Sequence, residues 1–174
     1  MKRVIVEGVD GSGKSTLIEN LISEFHFLTP VVNSAGPEQD FNSWWPEVLS
    51  KEYDGLVPIH DRFYYSELVY GPILRGKLLG DKKIHIEVRN KLRREAFLIY
   101  CRPTLKSILQ ESQVNEQMEG VSTHLVGLLE GYDKLMQMQP VYYDHRFIVY
   151  DWHYKSDFNT VVRRLEEYLL GYVR

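Results

Sequence analysis

Gly8-Val9-Asp10-Gly11-Ser12-Gly13-Lys14-Ser15 is the stretch on which the reading of this chain turns. It matches the pattern G-x-x-x-x-G-K-[ST] at every fixed position. From average residue usage, a chain of this length carries that pattern by chance in on the order of one case in a hundred, or fewer. The surroundings sharpen the match. Arg3 to Glu7 is a short β-branched run suited to a buried strand. Lys14 to Phe25 places Leu17, Ile18, Leu21, Ile22 and Phe25 on one helical face. Between strand and helix, glycines let the backbone curl so that successive amides point at one anion, and the helix N-terminus adds partial positive charge. The cradle is drawn from Gly8, Gly11, Ser12, Gly13, Lys14, Ser15 and Thr16. Lys14 is placed to reach the β- and γ-phosphates of a bound nucleoside triphosphate, and the Ser15 hydroxyl to hold Mg²⁺.

Outward from this loop, strands and helices alternate. Pro30 to Ala35, Leu56 to His60, Ala96 to Cys101 and Arg146 to Asp151 read as four further strands. Helices are expected over Trp44 to Lys51, Tyr64 to Leu79 with a break at Gly71-Pro72, Asp81 to Glu95, Thr104 to Gln110, Thr123 to Met138 and Phe158 to Leu170. The polar run Glu111 to Gly120 reads as a loop. This alternation predicts an α/β fold, a five-stranded parallel sheet with helices on both faces, whose ligand site lies at the carboxyl ends of the strands. Asp61 ends the third strand, where a carboxylate near the metal is expected beside Ser15.

The 174 residues fit one domain, 1–174, and 44% hydrophobic with 26% charged residues is an ordinary globular balance. A formal net charge of -3 argues against a whole-molecule field that attracts nucleic acid. Lys91, Arg93 and Arg94 read as a solvated helix face. Cys101 is the single cysteine, so no intrachain disulfide forms. It lies in an apolar run, where a small buried side chain is the default. No stretch is apolar enough to span a bilayer and the N-terminus lacks a signal-peptide core. A reducing, cytoplasmic setting is expected. The sequence leaves the oligomeric state open, a homodimer included.

Asp61-Arg62-Phe63-Tyr64-Tyr65-Ser66-Glu67-Leu68-Val69-Tyr70-Gly71 resembles the D-R-[YH]-x-x-S-x-x-A-Y-Q signature of thymidylate kinases. Glu7 to Thr16 is similar to that family's phosphate loop, aspartate included. Gly131-Tyr132-Asp133-Lys134-Leu135 is a weaker match to its helix before the last strand. The resemblance implies a P-loop kinase of the nucleoside monophosphate kinase type. Such an enzyme transfers the γ-phosphoryl group of ATP, with Mg²⁺, to a deoxynucleoside 5′-monophosphate, dTMP first among them. It also implies that Asp10 hydrogen-bonds the acceptor's 3′-hydroxyl, that Arg62 holds the acceptor phosphate, and that Tyr70 packs against C2′. A lid over the triphosphate falls near 111–120, and adenine lodges at Trp152 to Lys155.

The chain also departs from the family. After the second strand it reads Ala35-Gly36-Pro37-Glu38-Gln39, without the arginine of the family's F-P-x-R. The base-reading segment is short, leaving Trp44 or Trp45 to stack on a base or to fill the edge of the core. From Glu111 to Gly120 there is no Lys or Arg. Loss of a cation around the moving phosphate costs on the order of 10³-fold or more, so Arg102, Lys106 or Arg75 is expected to replace it.

Two other readings compete. A deoxynucleoside kinase requires a carboxylate base near the sugar hydroxyl, for which Glu38 or Asp40 is positioned. A nucleotide-binding regulatory module binds without turnover. Lys14→Ala is expected to abolish phosphoryl transfer while the circular dichroism spectrum is unchanged. Because such a clamp is worth several kcal/mol, a variant retaining more than about a tenth of the wild-type rate contradicts the cradle.

Overall fold

The computed structural model describes residues 1–32, 40–114 and 121–171. Five strands, β1 (Arg3–Glu7), β2 (Leu28–Val32), β3 (Val57–Asp61), β4 (Ala96–Cys101) and β5 (Phe147–Tyr150), form one sheet in the order β2-β3-β1-β4-β5. Every pairing is parallel. The second strand starts two residues before the expected Pro30 and ends at Val32; positions 33–35 lie outside the described residues.

β1 lies in the middle, with Val6 paired to Asp61 on one side and Ile99 on the other. All five of its residues are buried. Alternate side chains therefore feed two cores. Ile5, Leu98 and Tyr100 pack with α2 (Phe41–Ser50), α3 (Tyr64–Tyr70), α4 (Lys82–Glu95) and α6 (Val121–Met136). Val4, Val6, Phe97 and Ile99 pack with α1 (Lys14–Glu24) and α8 (Lys155–Leu170). This is the expected two-faced parallel sheet.

The break expected at Gly71-Pro72 is present. α3 ends at Tyr70, and Gly71–Arg75 forms a π-helical turn that stops at Gly76, whose φ is 67°. Glu67 closes the turn, pairing with Arg75 and accepting from the Leu79 amide at 2.8 Å. The expected helix to Leu79 is thus cut short.

Glu111 corrects a second expectation. Helix α5 (Leu105–Val114) runs four residues beyond Gln110, so the first part of the expected loop is helical. Glu and Gln are good helix formers, and neither Gly nor Pro interrupts before Gly120. The rest of the lid-like segment, 115–120, lies outside the described residues. A short helix α7 (Gln139–Tyr143), begun by Pro140 in its first turn, was not legible in the pattern.

The two tryptophans separate cleanly. Trp45 is fully buried, with Phe41, Tyr64 and His85 rings 4.8–5.3 Å from its own. No face remains for a base. Trp44 is half-buried against Phe41 and Phe63. Among the described residues no helix is long and apolar enough to cross a membrane. Trp45→Ala is expected to cost roughly 3–5 kcal/mol of stability, against little for Trp44→Ala. At about 2–4 °C per kcal/mol, thermal melts separate the two.

Candidate active site

Residues 8–15 connect the buried end of β1 to the first turn of α1. Gly8 has φ 148° and Gly13, capping α1, has φ 84°. Gly11, at φ 74°, completes the curl. A cleft of about 670 Å³ opens over the loop, lined by Asp10, Gly11, Gly13, Lys14, Ser15, Thr16, and the opposing Glu111 and Trp152. Ser12 is buried beneath it.

Lys14 is buried, with its Nζ donating to the Val9 carbonyl at 2.9 Å. Burial, and then the neighbouring Arg62 charge, push its ammonium down to about 8, while Asp10 and Asp61 act the other way. The loop thus holds its cation with a backbone oxygen that a phosphate can replace.

Ser15 Oγ donates to Asp61 Oδ2 at 3.3 Å, bringing together the two groups expected around a metal. Asp61 Oδ1 is buried and has no partner among the described residues. An orphaned carboxylate oxygen in a phosphate cleft fits Mg²⁺. That ion takes one or two protein oxygens and completes its shell with phosphate and water.

Arg62 stands at the turn from β3 into α3, a non-glycine residue with φ 61°. Its Nη2 donates to Asp10 Oδ1 at 2.6 Å, and its guanidinium lies 4.7 Å from the Tyr70 ring centroid. Tyr70 in turn donates to Asp10 Oδ2 at 3.3 Å. All three expected acceptor residues therefore meet. Burial works against the Arg62 charge, but Tyr132, Tyr70, Asp10 and Glu7 around it raise its pKa further above the ordinary arginine value.

Arg62 precedes the helix, which begins at Tyr64, yet its guanidinium reaches the Tyr70 ring at the helix's other end.

Glu7 and Tyr132 belong to this site and were not assigned to it from the sequence. The Glu7 carboxylate is completely buried and accepts from the Phe63 and Ser66 amides at 2.9 and 3.2 Å. It also accepts from the Ser66 and Tyr132 hydroxyls at 2.7 and 2.9 Å. Burial raises its pKa, against the pull of these donors and of Arg62. A charged residue between the apolar run Val4 to Val6 and the glycine of the loop was the available signal.

Two of the three cations expected to replace the lid's are paired with carboxylates. Arg102 forks onto Asp133, with Nε and Nη2 at 2.7 and 2.8 Å from its two oxygens. Arg75 is held by Glu67. Lys106 is exposed on α5. None of the three is among the described residues lining the cleft. Asp40 caps α2, accepting from the Asn42 amide and the Ser43 hydroxyl, both at 3.0 Å. Glu38 lies outside the described residues.

In the stretch where the resemblance lodges adenine, Trp152 packs its indole edge against Gly13, where a Cβ would lie 2.8 Å from Cδ1. It stacks on His153, which is held between Asp151 and the Ser107 hydroxyl at 2.7 and 2.8 Å.

The chain matches no protein-family model and no curated protein sequence. It is similar to solved structures. YorR of Bacillus subtilis, determined in complex with phosphorylated GDP, superposes with a TM-score of 0.71 at 19% identity, covering 99% of this chain and 100% of that one. Thymidylate kinase from Candida albicans gives 0.61 at 13% identity, covering 98% and 91%. Deoxyadenosine kinase from M. mycoides, with dCMP and dCDP as products, gives 0.53 at 16% identity, covering 97% and 98%. The chain has a P-loop nucleotide kinase-like fold.

The Lys14 value carries a pH dependence. Between about 8 and the ordinary 10.5, the free folded protein binds fewer protons than the unfolded chain. Its stability therefore rises with pH across that window. A bound triphosphate restores the proton, so affinity is full below pH 8 and falls above it. A non-hydrolysable ATP analogue is expected to bind about ten-fold more weakly at pH 9 than at pH 7. Calorimetry should show this, and Lys14→Met should flatten it. Equal wild-type affinity at the two pH values overturns the assignment.

Proposed function

We propose that this chain is a phosphotransferase that moves the γ-phosphoryl group of ATP onto the 5′-phosphate of a deoxynucleoside monophosphate, with dTMP the leading acceptor. The observation that carries the proposal is the meeting of Asp10, Arg62 and Tyr70 beside the phosphate loop. In this reading Arg62 exchanges the Asp10 carboxylate for the acceptor phosphate. Asp10 then accepts from the 3′-hydroxyl, and Tyr70 lies under C2′. Trp44 is the half-exposed aromatic available to the base.

The backbone amides from Gly11 to Thr16 and the Lys14 ammonium hold the β- and γ-phosphates of the donor. Ser15 and Asp61 would hold Mg²⁺, which neutralises charge on those phosphates. An acceptor phosphate oxygen then forms the new P–O bond as the bond to the β-γ bridging oxygen breaks, and ADP leaves. Lys14 and Arg62 flank the transferring group with positive charge. Arg102 joins them if it exchanges Asp133 for phosphate, and Lys106 if the end of α5 moves over the cleft.

The state of Asp40 favours a monophosphate acceptor over a nucleoside. A phosphate monoester is largely dianionic at pH 7, because its second pKa is about 6, so its oxygen attacks without a general base. A sugar hydroxyl needs one; of the two carboxylates considered for that role, Asp40 is engaged in capping α2 and Glu38 lies outside the described residues.

A panel of nucleosides, ribonucleoside monophosphates and deoxynucleoside monophosphates, each assayed with ATP, tests the proposal. Deoxynucleoside monophosphates are expected to be turned over. Steric exclusion by Tyr70 should favour them over the ribo forms by roughly 1–3 kcal/mol, about ten- to two-hundred-fold in kcat/KM. Tyr70→Ala should admit ribonucleotides. Turnover of nucleosides in place of monophosphates sinks the proposal, as does binding without turnover.

A further inference from the structure

Arg62 adopts a left-handed backbone conformation, which is strained for a residue with a Cβ. Such a conformation persists when its surroundings over-determine it. Here both peptide groups of Arg62 are tied to the last two residues of β1. Its own amide donates to the Val6 carbonyl at 2.9 Å. The next amide, that of Phe63, donates to Glu7 Oε1 at 2.9 Å.

Helix α3 begins immediately afterwards and has no side-chain cap of its own, since Phe63 occupies the cap position. The missing acceptor is supplied from another strand. Glu7 Oε1 also takes the Ser66 amide, while Oε2 takes the Ser66 and Tyr132 hydroxyls. The carboxylate thus caps a helix whose first turn follows Arg62 and ties it to α6. Glu7 is also the residue directly before Gly8. One buried side chain therefore joins the root of the phosphate loop to the backbone of the residue that aims at Asp10.

We infer that Glu7 is a positioning residue that holds Arg62 in its left-handed turn and so sets the distance between the phosphate cradle and the acceptor-phosphate site. Glu7 touches no substrate. Its effect on acceptor binding passes through Arg62. The inference rests on the proposed role of Arg62 for its binding readout, and the experiment separates the two.

The test is a double-mutant cycle on binding of dTMP, measured by calorimetry with Glu7→Gln, Arg62→Ala and the double variant. Removing the charge from a carboxylate that accepts several hydrogen bonds is expected to weaken dTMP binding about ten-fold in the Arg62 background. It should change binding of an ATP analogue by less than about two-fold, and have no effect on dTMP once Arg62 is gone. Ser66→Ala, which removes one donor and leaves the backbone contacts, should act in the same direction and likewise fall silent with Arg62→Ala. It serves if Glu7→Gln does not fold.

A second readout needs no acceptor. In the free protein, the Arg62 backbone amide, which donates to the Val6 carbonyl at 2.9 Å, should be slow to exchange. It should lose that protection in Glu7→Gln or Ser66→Ala. Equal loss of dTMP affinity in both Arg62 backgrounds, or unchanged protection of the Arg62 amide, overturns the inference. If the wild type binds no monophosphate yet the amide loses protection, the acceptor reading fails while the positioning role of Glu7 stands.

Discussion

A Cβ atom at Gly8 would lie 2.6 Å from the Ser12 hydroxyl and 2.7 Å from the Cys101 carbonyl, so the phosphate loop meets the end of β4 with room for hydrogen alone. The remainder of the site depends on that contact. β1 is the central strand, hydrogen-bonded on both sides. A loop leaving it must rise between the ends of β3 and β4. Because the loop cannot lean away from β4, its open side faces the end of β3. Asp61 and Arg62 are there, each within reach of a loop side chain. The crevice at the carboxyl edge follows from strand order before any side-chain chemistry is considered.

Two cations share this crevice, and the protein treats them oppositely. Lys14 is desolvated and faces a backbone carbonyl, so its charge is weakened until an anion arrives. Arg62 keeps its charge because Asp10, Glu7, Tyr132 and the ring of Tyr70 lie around it. A guanidinium spreads its charge over a plane that tolerates such packing, while an ammonium is a point charge that burial readily neutralises. In the proposed reaction these two cations would receive two phosphates by different means.

The sequence was read most accurately where one rule governed a segment. β4 spans Ala96 to Cys101, as its apolar run requires, because both neighbours of that strand and both layers of helices are apolar. The spacing of Ile84, Val88 and Leu92 likewise placed the helix expected over Asp81 to Glu95, which spans Lys82–Glu95 with Asp81 as its cap. Misreadings fell where local and tertiary demands diverge. Glu111 looked like loop because polarity was taken for irregularity, yet a polar residue on the exposed face of a helix is indistinguishable by composition. The Asp133 partner of Arg102, 31 residues away, was likewise invisible in the local sequence. Trp44 and Trp45 are chemically equal, and only the rotation of α2 decides which one is buried.

From its own letters the chain determined the phosphate cradle, the alternation that makes a doubly covered parallel sheet, and the pair Asp61-Arg62 at a strand end. These are local properties: a glycine pattern, a hydrophobic period and a turn are each written within about a dozen residues. Tertiary structure decided which charges face one another. Glu7 became the cap of a helix that begins 57 positions later, and Tyr132 joined it from the other half of the chain. The physical reason is burial. An ionised carboxylate removed from water must collect its donors from whatever elements the fold brings near, and no sequence spacing encodes that neighbourhood.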